Sequence, residues 1–181
     1  MKISIFWFRR DLRLEDNIAL YEAIATKKNV LPIFIFDESI LNELPNDDPR
    51  VNFIYKTLFD INLVLRKNNS SLLILKGNTE ELWKKLIENY TIDKVFINRD
   101  YEPYAIKRDQ KIAKLLKANG IELLSFKDQV IFEESEVVKA DGKPYTVFTP
   151  FKNKWLSLYI PVALKPKITF ENFHQENYPF P

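Results

Sequence analysis

Short runs of continuous apolar residues alternate along the chain with longer stretches of helical period. Five runs stand out: "ISIFWF" at 3–8, "NVLPIFIF" at 29–36, "SLLIL" at 71–75, "KVFIN" at 94–98 and "IELLSF" at 121–126. A strand with one wet face alternates apolar and polar residues, whereas an unbroken run suits a strand covered on both faces, as in a parallel sheet. The intervening segments repeat apolar residues at three and four. Ile54, Leu58, Ile61 and Leu65 form one stripe, and Leu82, Leu86 and Tyr90 form another. Helix boundaries are marked as well. Asp16 is read as the cap of a first helix ending near residue 26, Asp48 as a cap with Pro49 at the first helical position, and Asn78 as a cap with Glu81 reaching back to it. Pro103 opens a helix that Gly120 closes. Each of the three glycines, Gly77, Gly120 and Gly142, has a turn to serve, with "ADGK" around Gly142 reading as a hairpin. The pattern predicts an α/β fold: a doubly wound five-stranded parallel sheet in the common order 3-2-1-4-5, with helices on both faces.

After residue 126 the periodicity weakens. Residues 1–130 are read as the α/β domain, 131–160 as a closing segment, and 161–181, with four prolines, as an interdomain linker. Composition narrows the chemistry. With no cysteine, thiolate metal sites and cysteine nucleophiles are excluded, and His174 is the only histidine, which removes Ser-His-Asp catalysis. The 27 basic and 25 acidic residues give a net charge of +2, unlike the one-sided balance of a DNA-binding surface. No apolar run approaches the ~20 residues that span a bilayer, and the amino terminus lacks a signal-peptide pattern, so a cytoplasmic, monomeric chain without membrane attachment is expected.

In an open parallel sheet, ligands sit beyond the carboxyl ends of the strands where strand order reverses, here between the first and fourth strands. The loops leaving those strands are "FRRDLRLEDN" and "NRDYEPY", the two most chemically dense in the chain. Without glycines, the first cannot cradle phosphate with backbone amides and must act through side chains. Arg9, Arg10 and Asp11 facing Arg99 and Asp100 equally suit crossed ion pairs that tie the loops together. Asp109, on the stripe Ala105, Asp109, Ile112 and Leu116, is expected to face inward and pair with a loop arginine. Trp7, Phe8, Phe36 and Phe53 suit the core better than a ligand platform, and Trp83 and Trp155 are expected in the core.

Four stretches, "FWFRRDLRLEDNIAL", "PIFIFDESIL", "NRDYEPYAIKRD" and "YTVFTPFKNKW", resemble in order and spacing the amino-terminal region of the photolyase and cryptochrome family, over residues 3 to about 155. The resemblance implies a Rossmann-like domain that holds a light-harvesting antenna chromophore. Excitation then passes to reduced FAD in a further helical domain, where damaged DNA is bound and a cyclobutane pyrimidine dimer is split by electron transfer. The FAD-binding helical domain lies outside these residues. Phe8, Phe36, Leu41 and Phe53 would form the flat slot for the antenna ring. Arg9, Arg10, Asp11, Asp37, Arg50, Asp100 and Glu102 would supply its polar edge. Where folate-binding members carry an Asn-Glu pair after Tyr-Glu, this chain has Tyr104 and Ala105, which favours a deazaflavin or FMN over folate. Two alternatives remain open on sequence: a cryptochrome-type domain acting in signalling or protein interaction, and a nucleotide-binding domain of the same topology.

Overall fold

The computed structural model describes residues 2–161 and 168–181. Five strands, β1 (Ile3–Phe8), β2 (Val30–Asp37), β3 (Leu73–Gly77), β4 (Ile92–Asn98) and β5 (Glu122–Phe126), form one sheet in the order β3-β2-β1-β4-β5. Every neighbouring pair is parallel. The order matches the expectation and places β1 at the centre, where all six residues are buried. Alternate side chains of the strands serve opposite faces. Ile3, Ile5 and Trp7 join Trp83 and Leu86 of α4 (Thr79–Asn89) and Ile112 and Leu116 of α5 (Pro103–Ala118). Phe6 and Phe8 join Leu20 and Ala23 of α1 (Ile18–Ala25), and Leu58, Ile61 and Leu65 of α3 (Pro49–Arg66). The two-sided core is what the unbroken apolar runs require.

Caps set most boundaries. The Asp48 side chain accepts from the Arg50 amide, with Pro49 opening α3 as expected. Asn78 accepts from the amides of Glu80 and Glu81. Glu81 does not reach back to it but pairs with Lys84 at 2.8 Å, since a charged donor makes the stronger hydrogen bond. The first helix is capped by Asn17, not Asp16. The Asn17 amide oxygen accepts from the Leu20 amide, while Asp16 takes a left-handed turn with φ +51°. "ADGK" forms a turn closed by the Gly142 amide on the Lys139 carbonyl, without flanking strands.

Beyond β5 the fold departs further from the pattern. "FTPFKNKWLSL" forms α6 (Phe148–Leu158), a helix with no buried residue and Pro150 in its first turn, where a missing amide costs nothing. Trp155, expected in the core, is half-buried on α6, edge-on to Phe132 and stacked on Tyr159. Of the segment expected as a linker, residues 162–167 lie outside the described residues, and 168–181 wraps onto the domain. Its Phe173 is 1% exposed and bridges Val30 in parallel. The Val30 amide donates to the Asn172 carbonyl at 2.7 Å and the His174 amide to the Val30 carbonyl at 2.8 Å. The Ser70 and Ser71 hydroxyls donate to the carbonyls of His174 and Glu176. Those two serines serve the tail, and β3 starts after them, at Leu73. Phe180 completes the strap edge-on to Tyr55 and Phe59 of α3.

Phe53 is the one expected core aromatic that stands clear, at 71% exposed. Phe53→Ala is expected to change unfolding free energy by no more than about 0.5 kcal/mol, read by urea denaturation. A loss several times larger would mean that the residue is covered in solution.

Candidate functional site

The loops after β1 and β4 meet at the carboxyl end of the sheet, but they meet through their own side chains. Arg9, 8% exposed although charged, forms an ion pair with Asp109 of α5. The other oxygen of that carboxylate accepts from Nε and Nη2 of Arg108 at 3.0 and 2.9 Å. Both guanidiniums lie over Trp7, with Cζ 5.4 Å (Arg9) and 4.9 Å (Arg108) from the ring centroid. One carboxylate thus holds two cations against an indole floor, an arrangement that gains cation–π energy as well as Coulomb energy. The inward-facing, arginine-paired Asp109 expected from the stripe is present.

Asp11 anchors a second buried cluster. Its Oδ1 accepts from the Arg9 amide at 2.9 Å, and its Oδ2 accepts from the side-chain amides of Asn17 and Asn98. Asn98, the last residue of β4, also donates to Asn17 Oδ1 at 2.8 Å and accepts from the Ala19 amide. Three residues, all under 5% exposed, thereby tie the end of β1, the start of α1 and the end of β4. Arg13 extends the tie to Asp128 after β5 at 2.8 Å, and the same aspartate accepts from the Ile18 amide. Arg10, exposed, bridges Glu102 at 3.3 Å and Asp100 at 3.8 Å. All three loop arginines are therefore paired. The sequence signal for Asn17 and Asn98 was only their place at a helix start and a strand end; Asp128 carried none.

The remaining expected residues separate. Phe8 is fully buried and Phe36 partly buried on the α1 and α3 side of the sheet, where Phe36 packs edge-on to Phe34. Leu41 closes α2 (Glu38–Leu41) and is half-buried. Arg50 is exposed and locked on Asp48 through Nε and Nη2, which holds the Asp48 carboxyl at about 2. Phe53 projects into solvent one turn further along α3. These side chains form no common slot with Arg9 and Asp11 at the switch point.

One opening at this end of the sheet lies one strand away. A cleft of about 300 Å³ is bounded by Asp37 and Ser39 after β2, by Asn78, Thr79 and Glu80 at the start of α4, and by Tyr104, Lys107, Arg108 and Lys111 of α5. Asp37 is 6% exposed and fully engaged. Its oxygens accept from the Ser39 amide at 3.0 Å, the Thr79 hydroxyl at 2.8 Å and the Tyr104 hydroxyl at 2.6 Å. Burial, and then the hydrogen bond to Asp37, push the Tyr104 phenol above its ordinary pKa, so it stays protonated as a donor. Lys107 has no ion-pair partner among the described residues, and Lys111 reaches Glu80 only at 3.9 Å. The cleft offers a planar guanidinium, a phenol ring, two ammonium groups and a fixed carboxylate. Such a site can hold and orient a flat polar ring bearing an anionic arm. Among the described residues no group of acidic or histidine side chains is arranged to hold a metal ion, and no helix is long and apolar enough to cross a membrane.

Comparison with known proteins accounts for this architecture. The family model for DNA photolyase matches residues 4–169. A deoxyribodipyrimidine photo-lyase of Synechococcus is 33% identical over 151 residues, covering 83% of this chain and 31% of that protein. Cryptochrome-1 of Spalax judaei is 30% identical over 163 residues, covering 88% and 28%. The chain thus spans about a third of the length of these relatives. Among solved structures, a bacterial class III photolyase from Agrobacterium tumefaciens aligns with a TM-score of 0.77 at 27% identity, covering 94% of this chain and 38% of that one. The archaeal photolyase of Sulfolobus tokodaii, described with two FAD molecules and the implication of a novel light-harvesting cofactor, aligns at 0.71 and 28% identity, covering 91% and 37%. With the motif order, the sheet order and a family match over nearly the whole chain in agreement, this chain belongs to the DNA photolyase family.

Proposed function

We propose that this chain is the antenna-binding domain of a light-dependent DNA repair enzyme. The observation that carries the reading is the cleft beside the switch point, bounded by Asp37, Tyr104 and Arg108, in a chain whose archaeal relative is described with a light-harvesting cofactor. An antenna absorbs light and passes excitation to a second chromophore, and its protein site makes or breaks no bond. The work of the residues is therefore to fix orientation and keep water from the ring. Arg108, held between Trp7 and Asp109, offers a rigid face for stacking, and Tyr104, held by Asp37, offers a second. Lys107 and Lys111 suit an anionic arm. At about 300 Å³ the cleft is at the small end of ligand sites, sized for the ring system of a deazaflavin or FMN with its side arm outside. Repair itself, with FAD and damaged DNA, is assigned to a helical domain beyond these residues. A cryptochrome-type signalling role is the second reading, favoured by the match to cryptochrome-1. Dimer splitting under blue light by the longer protein separates the two.

The binding claim has a direct test. After incubation with a deazaflavin or FMN and gel filtration, the protein is expected to retain visible absorbance and to quench chromophore fluorescence. Lys107→Ala with Lys111→Ala is expected to weaken FMN binding severalfold while sparing riboflavin, which lacks the phosphate. Elution of every chromophore as free ligand would reject the reading for this chain.

A further inference from the structure

A second, larger cleft of about 530 Å³ lies on the α5 side of the sheet above β4 and β5, separated from the smaller cleft by the Arg108–Asp109 pair. Ile97 and Leu123 form its floor, Ile106 and Ala113 of α5 one wall, and the turn at Glu133–Ser135 the other. β5 is the sheet edge, and α5 is the last helix on this face among the described residues. A side chain as small as Ala113, facing an edge strand, leaves the apolar floor uncovered. None of the ties that brace the switch point fills this space.

The charged groups at the cleft decide what it would hold. Asp100, Asp109, Glu133 and Glu134 line it, with Arg99 as the single cation. Behind them, Arg9 and Arg108 are committed to Asp109, Arg10 is shared between Asp100 and Glu102, and Arg99 is committed to Glu133. Five carboxylates therefore meet four guanidiniums, and one negative charge is in excess. Glu134 has no ion-pair partner among the described residues. The Tyr101 hydroxyl donates at 2.9 Å to the same Glu133 oxygen that Arg99 pairs with, so the Glu133 charge is already countered, whereas that of Glu134 is not.

We infer that this cleft is a binding site for a small organic monocation, an amine carried on an apolar or aromatic body. The apolar floor takes the body and Glu134 takes the ammonium. An anion would meet the excess carboxylate, and a simple inorganic cation would leave the apolar floor wet.

Tryptamine and indole-3-propionate share a ring and differ in the sign of the charge, which makes them suitable probes. Titration followed by methyl shifts of Ile97, Ile106, Ala113 and Leu123 is expected to saturate with tryptamine and to be weaker by about tenfold or more with indole-3-propionate. Glu134→Gln is expected to remove most of that preference. Ala113→Phe, which fills the cleft, is expected to abolish the shifts; if that variant does not fold, Ile106→Trp fills the same space from an exposed position. Equal binding of the two probes, shifts located elsewhere, or shifts that survive the filled cleft would overturn the inference. Retention of deazaflavin or FMN by the filled variant separates this site from the antenna reading, since neither substituted residue lines the smaller cleft.

Discussion

Asp109→Ala is expected to lower the unfolding free energy by about 3 kcal/mol, the lower end of the cost of breaking a buried pair. The reason is the shared carboxylate. Arg9 and Arg108 would both lose their counter-charge while held over Trp7, and Arg9, whose Nη2 is already buried without an acceptor, would lose the partner of Nη1 as well. The lower end applies because the Asp109 and Arg108 side chains retain 17% and 12% exposure, so water partly replaces what is lost. In a domain of this length the change corresponds to a fall in midpoint of roughly 6–12 °C. Asp109→Asn, which keeps an acceptor and loses the charge, is expected to fall between the variant and the parent. Urea unfolding at neutral pH measures both, and a loss below about 1 kcal/mol for the alanine variant would show that solvent, not the carboxylate, carries the two cations.

The pairing itself is legible in the sequence, because a carboxylate on an apolar helical stripe beside three loop arginines has few other solutions. The sheet order was legible for a similar reason: unbroken apolar runs and right-handed crossovers leave few arrangements. What sequence could not supply was the destination of polar side chains that look alike locally. Asp16 and Asn17 are both good caps, and only the three-way bond among Asn17, Asp11 and Asn98 selects the second. Asp37 suits a ligand contact on sequence, yet besides the nearby Ser39 amide its oxygens accept from Thr79 and Tyr104, partners distant in sequence. Phe53 and Phe173 show the same limit for apolar residues. One sits on a helix with a clear stripe and is exposed; the other lies among prolines without periodicity and is fully buried. Periodicity reports which side of an element faces the core, and it is silent about a segment without a period that packs across the start of β2.

Phe173→Ala carries the second large effect, a loss of about 3–4 kcal/mol, from the lost transfer of a buried ring and the cavity it leaves. The ring is 1% exposed and stacks on Phe170. The polar clasp around it magnifies the effect. Tyr178 donates to Glu176 at 2.6 Å and meets the Tyr90 hydroxyl at 2.9 Å, and burial drives its phenol well above the ordinary range, keeping it a donor at any physiological pH. Hydrogen exchange at the Val30 amide, whose acceptor is Asn172, reports the strap directly. It is expected to quicken in Phe173→Ala by more than the global loss of stability explains, as the strap frays first. Unchanged protection at Val30 together with a loss below 1 kcal/mol would show that the strap only rests on the domain.

The bridge between Val30 and Phe173 also bears on how the chain is made. A ribosome delivers β2 early, yet the carbonyl that its first amide needs belongs to Asn172, which follows all five strands in the sequence. No two neighbouring strands of this sheet can zip as a hairpin, and the centre strand waits for β4 before its second side is covered. Through most of its synthesis, then, the nascent domain carries an open, apolar sheet margin, the kind of surface that attracts other nascent chains and the chaperones that shield them. The strap emerges after all five strands and covers that margin at Val30, the first residue of β2.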